Sequence, residues 1–215
     1  FAPPKKSEKE IDPARKREAF YHEVLELQDT FTVLEECRMP TIAAIQGGCI
    51  GGAIDMASAC DMRYCSEDAF FKIAEVDIGI AADVGTLQRL PSLIPLAVLR
   101  ELAYTGRKCD SDEAKSLGLV NEVYSSVEDM MEEVQKLAQT IASKSPLVTR
   151  VIKKQINYAR DNSVRDSLEY HAMWNASLIS NKDTETALTA FMNKSEGEFD
   201  DLEELKSFWE KEGLI

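Results

Sequence analysis

The feature that most constrains this chain is a run of small and apolar residues over residues 39–60, which reads MPTIAAIQGGCIGGAIDMASAC. Its apolar start follows a proline, which predicts a short buried strand over residues 41–45. Two glycine pairs then predict a tight turn, and the small residues from 53 to 60 predict a helix. At such a junction the first amides of the helix lack partners, and the helix dipole favours negative charge. The run therefore predicts an α/β unit that can stabilise an anion.

Acidic residues follow the glycines within largely apolar sequence. Asp55 lies near the start of the predicted helix, and Glu75, Asp77 and Asp83 come after it. Carboxylates in apolar surroundings are typical of general acid–base catalysis. Glu75 and Asp77 share a face if their segment is a strand, which leaves one of them as a solvated acid. Asp55 is alternatively a first-turn acid that interacts with the helix dipole, and Asp83 is alternatively the cap of a helix over residues 84–90.

These segments resemble a known family. The letters IAAIQGGCIGGAIDMASACDMRY are similar to the oxyanion-loop signature of the crotonase (enoyl-CoA hydratase/isomerase) superfamily. The letters EVDIGIAADVGTLQRLP resemble the Δ3,5-Δ2,4-dienoyl-CoA isomerases, and the likeness extends over residues 31–180. It implies an α/β fold with a crotonase-like ββα superhelical core and a C-terminal helical trimerisation region. It also implies that the N-terminal strands of this fold, with an AG-x-D-L-like loop, are missing from this chain.

The resemblance implies roles for individual residues. Asp55, Glu75 and Asp83 correspond to catalytic carboxylates, and the Gly52 amide corresponds to an oxyanion donor. The implied substrate-binding residues are Gly48, Ile50 and Gly51. In the similar hydratases, glutamates occupy the slots of Asp55 and Glu75, and glycine occupies the slot of Asp83. This difference favours the isomerases, with Glu75 catalytic and Asp77 structural.

The implied function is the isomerisation of 3,5-dienoyl-CoA to 2,4-dienoyl-CoA in unsaturated fatty acid β-oxidation. Carboxylates shuttle the proton, and backbone amides form the oxyanion hole. Coenzyme A is part of the substrate, so we expect no separate cofactor and no metal. The alternatives are an enoyl-CoA hydratase or Δ3-Δ2-enoyl-CoA isomerase, and a non-catalytic crotonase-fold assembly protein. The family further implies a homotrimer or homohexamer in the mitochondrial matrix, slightly favoured, or the peroxisome.

Composition excludes several other classes of protein. The net charge of −13 disfavours a nucleic-acid partner, and no apolar run is long enough for a membrane span. The five cysteines form no CxxC pair. We therefore expect reduced, buried thiols rather than a metal or redox pair at Cys60 and Cys65.

The chain divides into three predicted parts: a mobile N-terminal segment (1–11), a partial crotonase core (12–124) and a C-terminal helical region (125–215). The core is predicted to begin with an amphipathic helix over residues 12–37. Four helices are predicted to start near residues 126, 145, 163 and 183, followed by an amphipathic tail from residue 197. The second of these helices has a basic side that either binds the phosphates of coenzyme A or is a solvated face; its residues are Arg150, Lys153, Lys154 and Arg160.

Overall fold

The computed structural model describes residues 12–179 and 182–205. The predicted N-terminal segment and the end of the acidic tail lie outside the described residues. The strands are β1 (Ile42–Ile45), β2 (Gly48–Ile50), β3 (Met62–Ser66), β4 (Phe70–Lys72), β5 (Cys109–Asp110) and β6 (Glu122–Tyr124). The helices are α1 (Pro13–Glu36), α2 (Gly52–Ala59), α3 (Thr86–Arg89), α4 (Leu96–Thr105), α5 (Ser111–Leu117), α6 (Val127–Ala142), α7 (Pro146–Asp161), α8 (Val164–Leu178) and α9 (Lys182–Asn193), with 3₁₀ turns at Glu75–Ile78 and Leu90–Ser92.

Within the described ranges the strands form two small sheets. One has the order β1-β3-β6 with parallel pairing, and the other has the order β2-β4-β5. In the second sheet β2 pairs with β4 in parallel and β4 pairs with β5 antiparallel. Each sheet thus contains a parallel pair, β1–β3 or β2–β4, whose connection includes α2. This confirms the predicted parallel βαβ arrangement and places α2 against both sheets.

The glycine segment differs from its prediction, because residues 48–50 form a strand rather than a turn. The side chain of Cys49 is buried, and its backbone lies opposite Phe71 of β4. A Cβ added to Gly48 would lie 3.0 Å from the ring of Phe70, so this position requires a very small residue. Two glycines with positive φ flank this strand, Gly47 at +60° and Gly51 at +54°, and the turn into α2 is at Gly51.

The segment of Glu75 and Asp77, for which a strand was one possibility, is not a strand. Residues Glu75–Ile78 form a 3₁₀ turn, and the two carboxylates therefore do not share the face of a strand. Asp77 forms an ion pair with Lys72 at 2.7 Å, which agrees with the structural role expected of it. The helix predicted over residues 84–90 is shorter in the structure and begins at Thr86.

The hydrophobic core lies between α2, α4 and the two sheets. Its buried members include Ile54 of α2, Phe71 of β4, Leu102 of α4 and Leu119. Leu90, in the 3₁₀ turn after α3, is only 2% exposed and belongs to the same cluster. This packing fixes α2, and with it the glycine turn, relative to the segment that carries the acidic residues.

The C-terminal region consists of α6 to α9 in the described part of the chain. Their predicted starts are confirmed, because the hydroxyls of Ser126, Ser145 and Ser163 each accept a hydrogen bond from an amide in the first turn of α6, α7 and α8. Residues 196–205 of the predicted amphipathic tail have no regular secondary structure. Of the helices in the described ranges, none combines the length and apolarity that crossing a membrane requires.

Candidate active site

The start of α2 presents a free backbone donor. Gly51 donates its own amide to the carbonyl of Lys72 at 3.0 Å, and this bond ties the turn to the end of β4. Gly52 is the first residue of α2, so its amide has no acceptor within the helix. Its N–H has no hydrogen bond to the rest of the described chain, and the residue is exposed. This amide is therefore free to donate to a ligand, and its role as an oxyanion donor stays a prediction.

The carboxylate of Glu75 lies beside this turn. Its Oε1 is 3.0 Å from the position that a Cβ on Gly51 would occupy. A side chain at position 51 would crowd the carboxylate. The glycine therefore allows both the turn and this position of Glu75. The structure thus brings Glu75 close to the residue that precedes the Gly52 amide. Of the predicted carboxylates, Glu75 is the one whose proximity to the glycine turn is directly seen.

Asp55 lies in the first turn of α2 and is completely buried. Its Oδ1 accepts a hydrogen bond from the backbone amide of Thr86 at 2.6 Å. Its Oδ2 has no hydrogen-bond partner among the described residues, and neither has the Thr86 hydroxyl. Asp55 is therefore more than a first-turn acid of its own helix, because it binds the first amide of α3.

Asp83 is exposed in the segment that leads from the 3₁₀ turn to α3. Its carbonyl accepts a hydrogen bond from the side-chain amide of Gln28 in α1 at 2.6 Å. Asp83 is not the residue that caps α3, because that position belongs to Gly85. It lines a cleft of about 720 Å³ between α1, α3 and α7, and the other two predicted carboxylates do not line this cleft. A single pocket for all three carboxylates therefore stays a prediction.

A partly buried ionic network forms one wall of this cleft. The Nε of Arg89 donates to the Glu35 carboxylate at 2.7 Å, and Arg160 forms an ion pair with the same carboxylate. Burial alone would raise the pKa of Glu35, but the hydrogen bonds from the two arginines outweigh it and lower the pKa. This network joins α1, α3 and α7. Sequence reasoning missed it because an acid in an amphipathic helix gives no sign of a partner far along the chain.

The predicted phosphate-binding side of α7 is wrong for Lys153. Its ammonium group is buried, donates to the carbonyls of Leu34 and Met39 and pairs with Asp61 at 2.8 Å. A neutralised and buried cation cannot attract a phosphate. Lys154 is exposed, and its ammonium lies 5.5 Å from the centroid of the Trp174 ring.

All five cysteines are unpaired in the described part of the chain. Burial raises the pKa of Cys49 to about 12 and that of Cys65 to about 11. No group of three metal-ligating side chains occurs within the described ranges. Cys65 is fully buried, which agrees with the expectation of structural thiols.

Comparison with known proteins identifies the family. The enoyl-CoA hydratase/isomerase family model matches residues 10–202. The chain belongs to the enoyl-CoA hydratase/isomerase family. The mitochondrial Δ(3,5)-Δ(2,4)-dienoyl-CoA isomerase of Rattus norvegicus is 49% identical over 170 residues, which are 79% of this chain and 52% of the rat protein. A peroxisomal isomerase of the same name from Arabidopsis thaliana is 44% identical over 188 residues, 87% of this chain and 68% of that protein. The chain spans about half the length of the mammalian relatives it matches.

Solved structures of family members have the same fold. An enoyl-CoA hydratase from Bacillus anthracis superposes with a TM-score of 0.79 at 31% identity, over 88% of this chain and 72% of that one. The predicted crotonase fold, a mixed α/β fold rich in helices with small sheets, is thereby confirmed. The catalytic and binding residues of this family member stay predictions.

Proposed function

We propose that this family member isomerises 3,5-dienoyl-CoA to 2,4-dienoyl-CoA, a step in the β-oxidation of unsaturated fatty acids. The observation that carries the proposal is the Glu75 carboxylate beside the turn that frees the Gly52 amide. Asp83 supplies a further carboxylate after it, in the slot where similar hydratases have glycine. The names of the rat and Arabidopsis relatives, both dienoyl-CoA isomerases, support this choice.

The reaction moves both double bonds toward the thioester, so C2 loses a proton and C6 gains one. When a base removes the C2 proton, the electron pair of that bond is delocalised onto the thioester oxygen. A backbone donor at this oxygen is worth about 3 kcal/mol of transition-state stabilisation, and the Gly52 amide is free to supply it. The C5–C6 double bond then takes a proton at C6 while the electrons return along the chain.

The proximity of Glu75 to the oxyanion donor assigns the two acids. C2 is bonded to the carbonyl carbon, so a carboxylate beside the oxyanion donor also lies near C2. We therefore assign Glu75 as the base at C2 and Asp83 as the acid at C6. Asp55 completes the proposed catalytic set, and its contact with Thr86 holds the end of the segment that carries Asp83. Gly48, Ile50 and Gly51 remain the proposed substrate contacts beside the turn.

We also propose the assembly and location that the family resemblance implies, a homotrimer or homohexamer in the mitochondrial matrix or the peroxisome. Large apolar side chains are exposed on the C-terminal helices, which supports burial against further copies; examples are Leu168, Met173, Phe191 and Met192. The names of the rat and Arabidopsis relatives, which are mitochondrial and peroxisomal proteins, support the two compartments. The substrate carries its own coenzyme A, and we propose no separate cofactor.

The proposal is tested with two substrates on the purified full-length protein. Isomerisation brings the diene into conjugation with the thioester carbonyl, which is followed by ultraviolet absorbance. Hydration of a 2-enoyl-CoA removes conjugation and is followed in the same way. We expect a higher kcat/KM for the 3,5-dienoyl-CoA than for the 2-enoyl-CoA. Hydration alone would favour the hydratase, the activity named for the similar Bacillus protein, and neither reaction would favour a non-catalytic assembly role.

A further inference from the structure

We infer that Thr86 is a positioning residue for Asp55 and that its hydroxyl holds the Asp55 carboxylate through one buried water. The inference rests on the proposed function, in which Asp55 belongs to the catalytic set. Thr86 is a residue that the sequence patterns did not single out.

The inference starts from an unusual pair of buried oxygens. Asp55 is 0% exposed and Thr86 is 1% exposed. One hydrogen bond joins the two residues, from the Thr86 amide to Asp55 Oδ1 at 2.6 Å. The second oxygen of each side chain, Asp55 Oδ2 and Thr86 Oγ1, has no partner among the described residues. Asp55 Oδ2 belongs to the same carboxylate as the accepting Oδ1, and Thr86 Oγ1 belongs to the same residue as the donating amide.

Buried polar atoms are rarely left without partners, because they lose their hydration and gain nothing in return. An ordered water usually satisfies such atoms when at least two of them lie close together. A water here would donate one hydrogen to Asp55 Oδ2 and accept the hydrogen of the Thr86 hydroxyl. The hydroxyl would thereby fix the position of the carboxylate oxygen that the protein itself leaves free.

The backbone next to Thr86 lies close to the side chains of Arg89 and Asp55. Gly85 has a φ of +139°, and a Cβ at this position would lie 1.8 Å from Nη1 of Arg89 and 3.8 Å from Asp55 Oδ1. Arg89 is itself fixed by its ion pair with Glu35 at 2.7 Å. The Thr86 amide already donates to Asp55 Oδ1, and the hydroxyl is the group that a substitution can remove while this backbone donor remains.

Substitutions at Thr86 test this role in the full-length protein. Thr86→Val keeps the branched shape and the amide but removes the hydroxyl, whereas Thr86→Ser keeps the hydroxyl. We expect Thr86→Val to lower kcat for 3,5-dienoyl-CoA by about tenfold, the scale of one lost hydrogen bond, with KM unchanged because the thioester contacts remain. Thr86→Ser should restore kcat to within about twofold of the wild type. Thr140→Val, which removes a surface hydroxyl bonded to the Lys136 carbonyl, should have wild-type kinetics.

The same kcat loss in the valine and serine variants, or no loss in the valine variant, would overturn the inference. A crystal structure of the wild-type protein decides the matter independently of activity and of variant folding. We expect a water within about 3 Å of both Asp55 Oδ2 and Thr86 Oγ1. Other partners for these oxygens, with no shared water, would also overturn it. Absence of isomerase activity in the wild type would instead refute the proposed function, and the crystallographic result would still stand.

Discussion

An alanine at Gly51 gives a quantitative test of how the glycine turn and Glu75 depend on each other. The residue has a φ of +54°, and an added Cβ would lie 3.0 Å from Glu75 Oε1, where ordinary contact begins at 3.4 Å. The carboxylate would have to move by about 0.4 Å, the difference between these two distances. Because a misplacement of about 1 Å costs on the order of a hundredfold in rate, this shift corresponds to about sixfold. The left-handed backbone adds a stability cost of about 1–2 kcal/mol.

We therefore expect Gly51→Ala to lower kcat for 3,5-dienoyl-CoA by about sixfold and the free energy of unfolding by about 1–2 kcal/mol. Steady-state kinetics and urea unfolding measure the two effects separately.

Gly47→Ala is the matched control for this variant. Gly47 has a similar φ of +60°, but an added Cβ would meet only Asp68 Oδ2, at 4.0 Å. Gly47→Ala also places a side chain on a backbone with positive φ, so we expect it to lower the free energy of unfolding and to keep the wild-type kcat. Equal kcat values for the two variants would refute the placement of Glu75 against the turn.

Other predictions address the ionic network, the thiols and the core. Because the pKa of Glu35 is lowered, its pairing with Arg89 stabilises the fold fully above the ordinary glutamate pKa of 4.5, and this effect is lost as pH falls through the lowered pKa. Glu35→Gln should therefore lower the free energy of unfolding, measured in urea, by less in acid than at neutral pH. A decrease that does not depend on pH would contradict the pairing. Burial raises the pKa of Cys49 to about 12, so iodoacetamide at pH 8 should label half-buried Cys37 before Cys49 in the native protein. Mass spectrometry measures the labelling, and equal labelling of the two would contradict the burial of the Cys49 thiol. Leu90→Ala should lower the free energy of unfolding by about 2–5 kcal/mol in urea, because it leaves a cavity in the core, and a loss below about 1 kcal/mol would show that Leu90 is not tightly packed.

Much of the fold is predictable from local sequence signals. The serines that begin α6, α7 and α8 are helix caps that act within their own first turn, so their pattern is visible without tertiary information. Strand β2 is different. Its first residue, Gly48, belongs to a glycine pair that indicates a turn, and the strand is stabilised by the burial of Cys49 and its pairing with Phe71.

The site shows the same division between local and long-range information. The glycine turn and unpartnered amides at the helix start follow from the strand-to-helix pattern, and the Gly52 amide has no acceptor among the described residues. The bond between Asp55 and Thr86 spans 31 positions in sequence, and the contact of Lys153 with the Leu34 carbonyl spans 119. No pattern in either segment predicts its distant partner. For that reason sequence reasoning missed Thr86 and did not predict the burial of Lys153.

The central claim is that Glu75 and Asp83 transfer protons at opposite ends of the diene. Its most direct test is Asp83→Asn in the full-length protein, incubated with 3,5-dienoyl-CoA in heavy water. Mass spectrometry of the recovered substrate then reports deuterium exchange at C2, and absorbance reports the 2,4-dienoyl-CoA product. We predict that C2 exchange continues, because Glu75 and the Gly52 amide are untouched, while product formation falls by at least about a hundredfold. Product formation at the wild-type rate would contradict the assignment of Asp83 as the proton donor.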